Sequence, residues 1–470
     1  MSISSSAPYV PEKLKFLINR LENYRVQNLK LTAESTSTAN STDRIVFNLP
    51  AQGLADISSF TLSGTYKAIT DGGVLPQNGV SGLIQRIDVS AGGVVISSCQ
   101  NYNQLHQILR QWTTDPQSNR QRAIGSGQAG SGVVQGGDEL VAPFVVGNFT
   151  DLVDTTTATL KSSGEQILRS TAKYVKNISR AVNEELPFNL NSWIDFLGVE
   201  QGHVMDLSTL PAPLQIQITL DGSRVLGGAG TADFQLTNLY AKLRVIEFPM
   251  LSRGIMSMLD SGNTLSVPFN RYLSYSFAND SGALISNRFS VATQCLSKLW
   301  VNNVRTANYT QIAGSTKGRN NAMFISDADK SNNYWVEVDN RRVSSYNIDL
   351  PQEGYEECLQ ALGAKHEEYD NLYGAMGVHN RNANVDGNTA DYGTYNYFNS
   401  AFAMVFNFGY NDWDTDSNAN VSGYNTNGLS SSLAIQSLVG NQSANHTMNV
   451  FAETKAVLNI QKGRVISVDY

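Results

Sequence analysis

Charge is scarce in this chain. Asp, Glu, Lys and Arg make up 16% of its 470 residues, against roughly 25% in an ordinary globular domain. Asn, Ser, Thr, Gly and Gln take their place. The cores of protein interfaces are depleted in charge, so a charge-poor, amide-rich composition suits a protein largely covered by copies of itself. The net charge of −7 argues against packaging nucleic acid by neutralising phosphates. No sequence-specific nucleic-acid partner is expected.

Cysteine is scarcer still. Cys99, Cys295 and Cys358 are the only three. Their odd number and wide spacing exclude a disulfide framework and a zinc motif. They read as small buried hydrophobes. His106, His203, His366, His379 and His446 show no paired spacing, so a metal-dependent jelly-roll enzyme has no ligand cluster to draw on. Each reads as a surface or loop histidine. Neither a G-x-x-x-x-G-K-[ST] phosphate loop nor a G-x-S-x-G nucleophile turn occurs. No catalytic residue and no cofactor is therefore assigned, and the chain is not expected to be an enzyme. No apolar run reaches the length of a transmembrane helix. The opening MSISSSAPYVPEKLK lacks the basic-then-apolar pattern of a signal peptide, so none is expected.

What the chain does have is repetition. Residues 85–109 read QRIDVSAGGVVISSCQNYNQLHQIL, and residues 335–362 read WVEVDNRRVSSYNIDLPQEGYEECLQAL. Each predicts a strand, a tight turn, a second strand, a polar stretch and a short amphipathic helix. RIVFNLP (44–50) and LSVPFNR (265–271) are taken as matching flanks. Two similar β-rich units in one chain point to a duplicated domain. The length agrees, because a single core stops growing at roughly 250–300 residues.

Strands dominate. Ile45, Phe47 and Leu49 recur at every second position, and Phe60, Leu62 and Tyr66 fall on alternate positions in their run. The clearest case places Leu214, Ile216, Ile218 and Leu220 inward and Gln215, Gln217 and Thr219 outward. A helix is expected over residues 11–30, with Leu14, Leu17, Ile18, Leu21 and Leu29 on one face and Lys13, Lys15, Arg20, Arg25 and Lys30 in excess over acids. Shorter helices are expected at 102–112, at 166–185 and in a connector after residue 249. The division is a 1–42 arm, a 43–250 first unit, a 251–262 connector and a 263–470 second unit. Eight-stranded jelly rolls are a natural solution for such units.

Residues 369–427 form a long polar and aromatic interval, with a strand expected at 401–408. Asp412, Asp414 and Asp416 have the alternate spacing that opens a calcium loop. Ser417 stands where that loop needs its glycine, and Gly423 where it needs its glutamate. The pattern is a weak calcium candidate beside an ordinary solvated acidic loop.

In Leu186-Pro187-Phe188-Asn189-Leu190, Phe196-Leu197-Gly198 and Leu210-Pro211 through Leu220, the chain resembles double jelly-roll major capsid proteins. Residues 82–109 are similar to the first hairpin and helix of virophage and polinton-like virus capsid proteins. The N-terminal amphipathic helix is similar to the one tectivirus-like proteins place on the inner face. The resemblance implies an all-β double jelly roll with short helices. It implies a viral major capsid protein whose homotrimers are pseudo-hexagonal capsomers tiling an icosahedral shell over an internal membrane. Neighbouring capsomers, penton and minor capsid proteins would be its partners, and the virion its location, after synthesis in the cytoplasm or nucleus of a host cell. Lys13, Leu14, Leu17, Ile18, Leu21 and Arg25 would then face the membrane. Tyr392, Tyr395, Tyr397, Tyr410, Asp412 and Tyr424 would lie in outer tower loops. The alternative is a carbohydrate-binding β-sandwich surface or spike protein with the aromatic interval as its platform.

Overall fold

The structure is a computed structural model of the chain. It describes residues 24–51, 53–70, 75–76, 78–113, 183, 185–198, 204–226, 232–279, 284–305, 333–338, 341–343, 404–409, 423–427, 433–438 and 446–469. The first unit carries β1 (Arg25–Thr32), β2 (Ala39–Asn40), β3 (Arg44–Asn48), β4 (Leu54–Thr70), β5 (Ile84–Ala91) and β6 (Val94–Gln100). Helix α1 (Tyr102–Thr113) follows, then β7 (Glu185–Leu190), β8 (Val204–Asp206), β9 (Gln215–Leu220) and β10 (Asp233–Glu247). Helix α2 (Pro249–Asp260) leads to the second unit. That unit holds β11 (Leu265–Asn279), β12 (Leu284–Phe289), β13 (Leu296–Arg305), β14 (Asn333–Val338) and β15 (Arg341–Arg342). It closes with β16 (Met404–Asn407), β17 (Leu433–Leu438), β18 (His446–Gln461) and β19 (Val465–Asp469).

The two units share one topology. In the first, the sheets run β1-β10-β4-β7 and β3-β9-β5-β6, with short β2 and β8 at the side. In the second they run β11-β18-β13-β16 and β12-β17-β14-β15, with β19 added on β18. With the three additions set aside, each unit has eight strands. One sheet orders them first, eighth, third, sixth; the other second, seventh, fourth, fifth. That is the double-sheet jelly roll, and it occurs twice.

The alternating residues form the cores. Ile45, Phe47, Phe60, Leu62 and Tyr66 are fully buried, and so are Leu214, Ile216 and Ile218. Burying each such side chain contributes about 1.5–3 kcal/mol. Phe60 meets the edge of Phe47 at 6.1 Å and tilts against Trp193 at 5.6 Å. The Trp193 indole N–H donates to the Phe60 carbonyl over 2.7 Å, so the buried ring leaves no polar atom stranded. Between β5 and β6, Gly92 and Gly93 take φ of 57° and 83°. A two-residue turn with positive φ at both positions matches the twist of the hairpin, which is why two glycines stand there. The repeated hairpins β5–β6 and β14–β15 occupy the same fourth and fifth places in their rolls. The helix expected near 355–362 falls outside the described residues, and so does the one expected at 166–185 up to residue 182. That second helix does not reach its expected end, because Asn183 is in a turn and Glu185 opens β7.

Two further expectations are corrected. The helix predicted over residues 11–30 does not reach its end, because Arg25–Thr32 is a strand, paired antiparallel with β10 from Arg25↔Glu247 to Thr32↔Tyr240. Gln27, Leu29 and Leu31 are half-buried and alternate with exposed neighbours. That period of two belongs to a sheet, and the leucines that fit a helix lie before Tyr24. The first roll thus opens at Arg25, inside the stretch expected to be an arm. The matching flanks are also out of step: residues 44–48 are a second strand and residues 265–271 begin a first strand. The true counterpart of β11 is β1, and that of β3 is β12.

Candidate assembly surfaces and the seam between the rolls

The second roll lays one sheet against the first. On β18 the side chains of Met448, Val450 and Ala452 point into the second roll, and Asn449, Phe451 and Glu453 point the other way. Cross-strand partners share a face, so Ser276, Asn449 and Asn302 form one row, and Ser274, Phe451 and Trp300 the next. Phe451 and Trp300 are nonetheless fully buried, because the first roll covers them.

The covering parts are α1, β6 and the 3-10 turn Asp195–Gly198. Asn449 Nδ2 donates to Gln104 Oε1 on α1 at 2.8 Å, and Asn449 Oδ1 accepts from Ser276 Oγ at 2.8 Å. Asn101 Nδ2 donates to Ser274 Oγ at 3.0 Å. Phe196 meets Phe269 edge-on, with centroids 5.2 Å apart and planes at 87°.

Charge is also buried here. Asp195 has φ of 66° and accepts the N–H of Phe196 on Oδ1 at 2.8 Å. Burial pushes its carboxyl up to about 6, against the pull of Ser97, the Phe196 and Tyr272 N–H groups and the Arg271 charge. Burial likewise raises the Tyr272 phenol well above its usual value, with the nearby carboxylates of Glu453 and Asp195 adding to it. Glu453 accepts the Trp300 indole N–H at 3.0 Å. Cys99 is buried at the same seam, its thiol raised chiefly by burial. Nothing in the sequence marks these residues, since Asn, Gln and Asp read as surface when their partners lie hundreds of positions away.

Several exposed apolar residues lie at one end of the molecule. The register sets the start of β1 beside the end of β10, and the start of β11 beside the end of β18. Helix α2 runs between those ends. Its Met250, Leu251 and Met258 are 70%, 45% and 47% exposed, and Tyr24 and Val465 lie exposed at the same end. Exposed apolar residues at one end are candidates for an interaction surface.

The predicted site residues scatter. Lys13, Leu14, Leu17, Ile18 and Leu21 lie outside the described residues, as do Tyr392, Tyr395, Tyr397, Tyr410, Asp412, Asp414 and Asp416. Arg25 is exposed at the start of β1, opposite Glu247. Tyr424 is 44% exposed, and its backbone is pinned to Leu296 by two hydrogen bonds of 2.9 Å. Among the described residues no group of three His, Cys, Asp or Glu could hold a metal. His106, read from the sequence as a surface or loop residue, is fully buried on α1. It stacks on Tyr102 at 5.5 Å and sits 3.0 Å from the Ser192 carbonyl.

No protein-family model and no curated protein matches the sequence. Solved structures do match in shape. VP54 of PBCV-1 superposes over 97% of this chain and 99% of its own, at 11% identity and a TM-score of 0.57. The Faustovirus major capsid protein covers 96% of this chain and 92% of its own, at 10% identity and 0.54. A chain of the Sputnik virophage covers 98% and 92%, at 12% and 0.51. Identities this low establish the fold and nothing more. This chain therefore has the double jelly-roll fold of viral major capsid proteins.

Proposed function

We propose that this chain is a viral major capsid protein, a structural subunit with no catalytic role. The observation that carries the reading is the repeated strand order, first-eighth-third-sixth against second-seventh-fourth-fifth, in two rolls packed side by side. Two like domains in one chain let a threefold oligomer fill a sixfold position in a lattice. Three copies form a pseudo-hexagonal capsomer, and capsomers tile an icosahedral shell together with penton and minor capsid proteins.

The chain divides into an N-terminal arm, a first roll, the α2 connector and a second roll from residue 263. The end that carries α2 and Tyr24 faces inward. The arm, with Lys13, Leu14, Leu17, Ile18 and Leu21, meets an internal membrane or a minor protein there, beside Arg25 at the start of β1. An apolar stripe beside basic residues fits an interfacial helix at anionic headgroups. The loops bearing Tyr392, Tyr395, Tyr397, Tyr410, Asp412 and Tyr424 face outward, where tyrosines offer broad contact area at low entropy cost. Light scattering on the purified protein tests the capsomer: three chains per particle is the expected mass, and a stable folded monomer at micromolar concentration contradicts it.

A further inference from the structure

The first roll repeats the sheet that forms the seam, but leaves β1 and the adjoining part of β10 open, with Ser63 and Asp56 of β4 buried. In the second roll, the outer face of β11-β18-β13 is buried against α1, the helix that follows the first hairpin. The matching outer face in the first roll belongs to β1-β10-β4. Its rows are Thr32–Tyr240–Ser63, Lys30–Lys242–Thr61 and Asn28–Arg244–Asp56. Lys30, Lys242 and Asn28 are exposed within one chain, and so is Arg244.

This face carries an unusual arrangement of charge. Lys30 and Lys242 are direct cross-strand partners, and like charges set opposite each other destabilise a sheet. The Lys30 ammonium lies 4.1 Å from the centroid of the Tyr240 ring, and that of Lys242 5.5 Å from it. The ring offsets part of the repulsion. Arg244 has Asp56 at 3.7 Å, which leaves the lysine pair as the free positive charge. A pair held in this way is relieved by an anionic partner.

The sequence supplies one. Residues 349–370 follow the second hairpin in chain order, as α1 follows the first. They hold seven carboxylates and one lysine in a chain otherwise poor in charge. We propose that the Lys30–Lys242 face receives this acidic stretch from a second copy of the chain, reproducing between chains the seam that joins the rolls within one. The inference rests on the capsomer reading and names its contact. Electrostatic complementarity of this kind fixes which surfaces meet and in what register.

The test is sedimentation velocity on the full chain and on Lys30→Glu/Lys242→Glu, with melting curves as a folding control. Both lysines are exposed, so the double change is expected to keep the fold and to lower the melting temperature only slightly, by the lost contact with the Tyr240 ring. Trimer association is expected to weaken at least about tenfold. Adding Glu356→Lys/Glu357→Lys to the same chain is expected to restore it. A wild-type trimer matched in affinity by the double variant would overturn this contact and leave the capsomer standing. A monomeric wild type would instead overturn the capsomer. Weakening without rescue would overturn the acidic stretch as occupant. So would wild-type trimers that bind phosphatidylserine vesicles through these lysines, since a lipid surface would then be the partner.

Discussion

Asn449 donates from Nδ2 to Oε1 of Gln104 across 345 residues of chain and from one jelly roll to the other. Both side chains are at most 1% exposed. Breaking a buried pair of this kind strands the remaining partner, which costs about 1–3 kcal/mol. Gln104→Leu is therefore expected to lower the unfolding free energy in urea titration, by less than that full amount because it also removes the unpartnered Gln104 Nε2. Asn302, on the same row, buries both amide atoms without a hydrogen-bond partner. Asn302→Val is expected to be neutral or to stabilise by up to about 1 kcal/mol, because a stranded polar group is removed. Equal destabilisation by both changes would mean the seam is not built as described.

Asp195 makes the seam sensitive to pH. Its carboxyl is raised from 3.8 to about 6, chiefly by burial. Between those values the folded state holds a proton that the unfolded state releases, so this group favours folding fully below pH 3.8. The advantage is lost as pH rises through about 6. The difference amounts to about 3 kcal/mol. Asn tolerates positive φ and can still accept the Phe196 N–H, so Asp195→Asn isolates the charge. The variant is expected to match the wild type at pH 4 and to exceed it in stability at pH 7. A wild type that gains on the variant as pH rises would show the opposite sign.

The start of the first roll can be tested by truncation. Removing residues 1–24 is expected to leave the melting temperature and the trimer unchanged while impairing shell assembly. Removing residues 1–32 takes away β1 and bares the edge of β10, so the first roll should melt earlier or aggregate. Equal stability of the two truncations would mean that β1 contributes nothing to the roll.

Much of this was legible in the sequence, for a physical reason. A strand with one face in a core must alternate, and Leu214, Ile216, Ile218 and Leu220 do so without a break. The hairpin at Gly92-Gly93 announces itself because few other residues take positive φ twice running. Strand β1 was hidden because Leu14 to Leu21 satisfy a helical spacing and Leu29 continues it by coincidence. The flanks were misaligned because RIVFNLP and LSVPFNR look alike as strands, and period two carries no information about position in a roll. The seam was out of reach. Its members are neutral amides and serines, the carboxyls of Asp195 and Glu453, and the rings of Phe196, Phe269, Tyr272, Trp300 and Phe451, brought together only by the packing of one roll on the other.

The central claim is that three copies of this double roll make one sixfold-like tile of a closed shell. Electron cryo-microscopy of purified particles tests it most directly. The account predicts six-lobed capsomers, each built from three chains with alternating first and second rolls, joined in a closed icosahedral lattice. Particles in which this chain is a sparse surface projection on a lattice of another protein would contradict it.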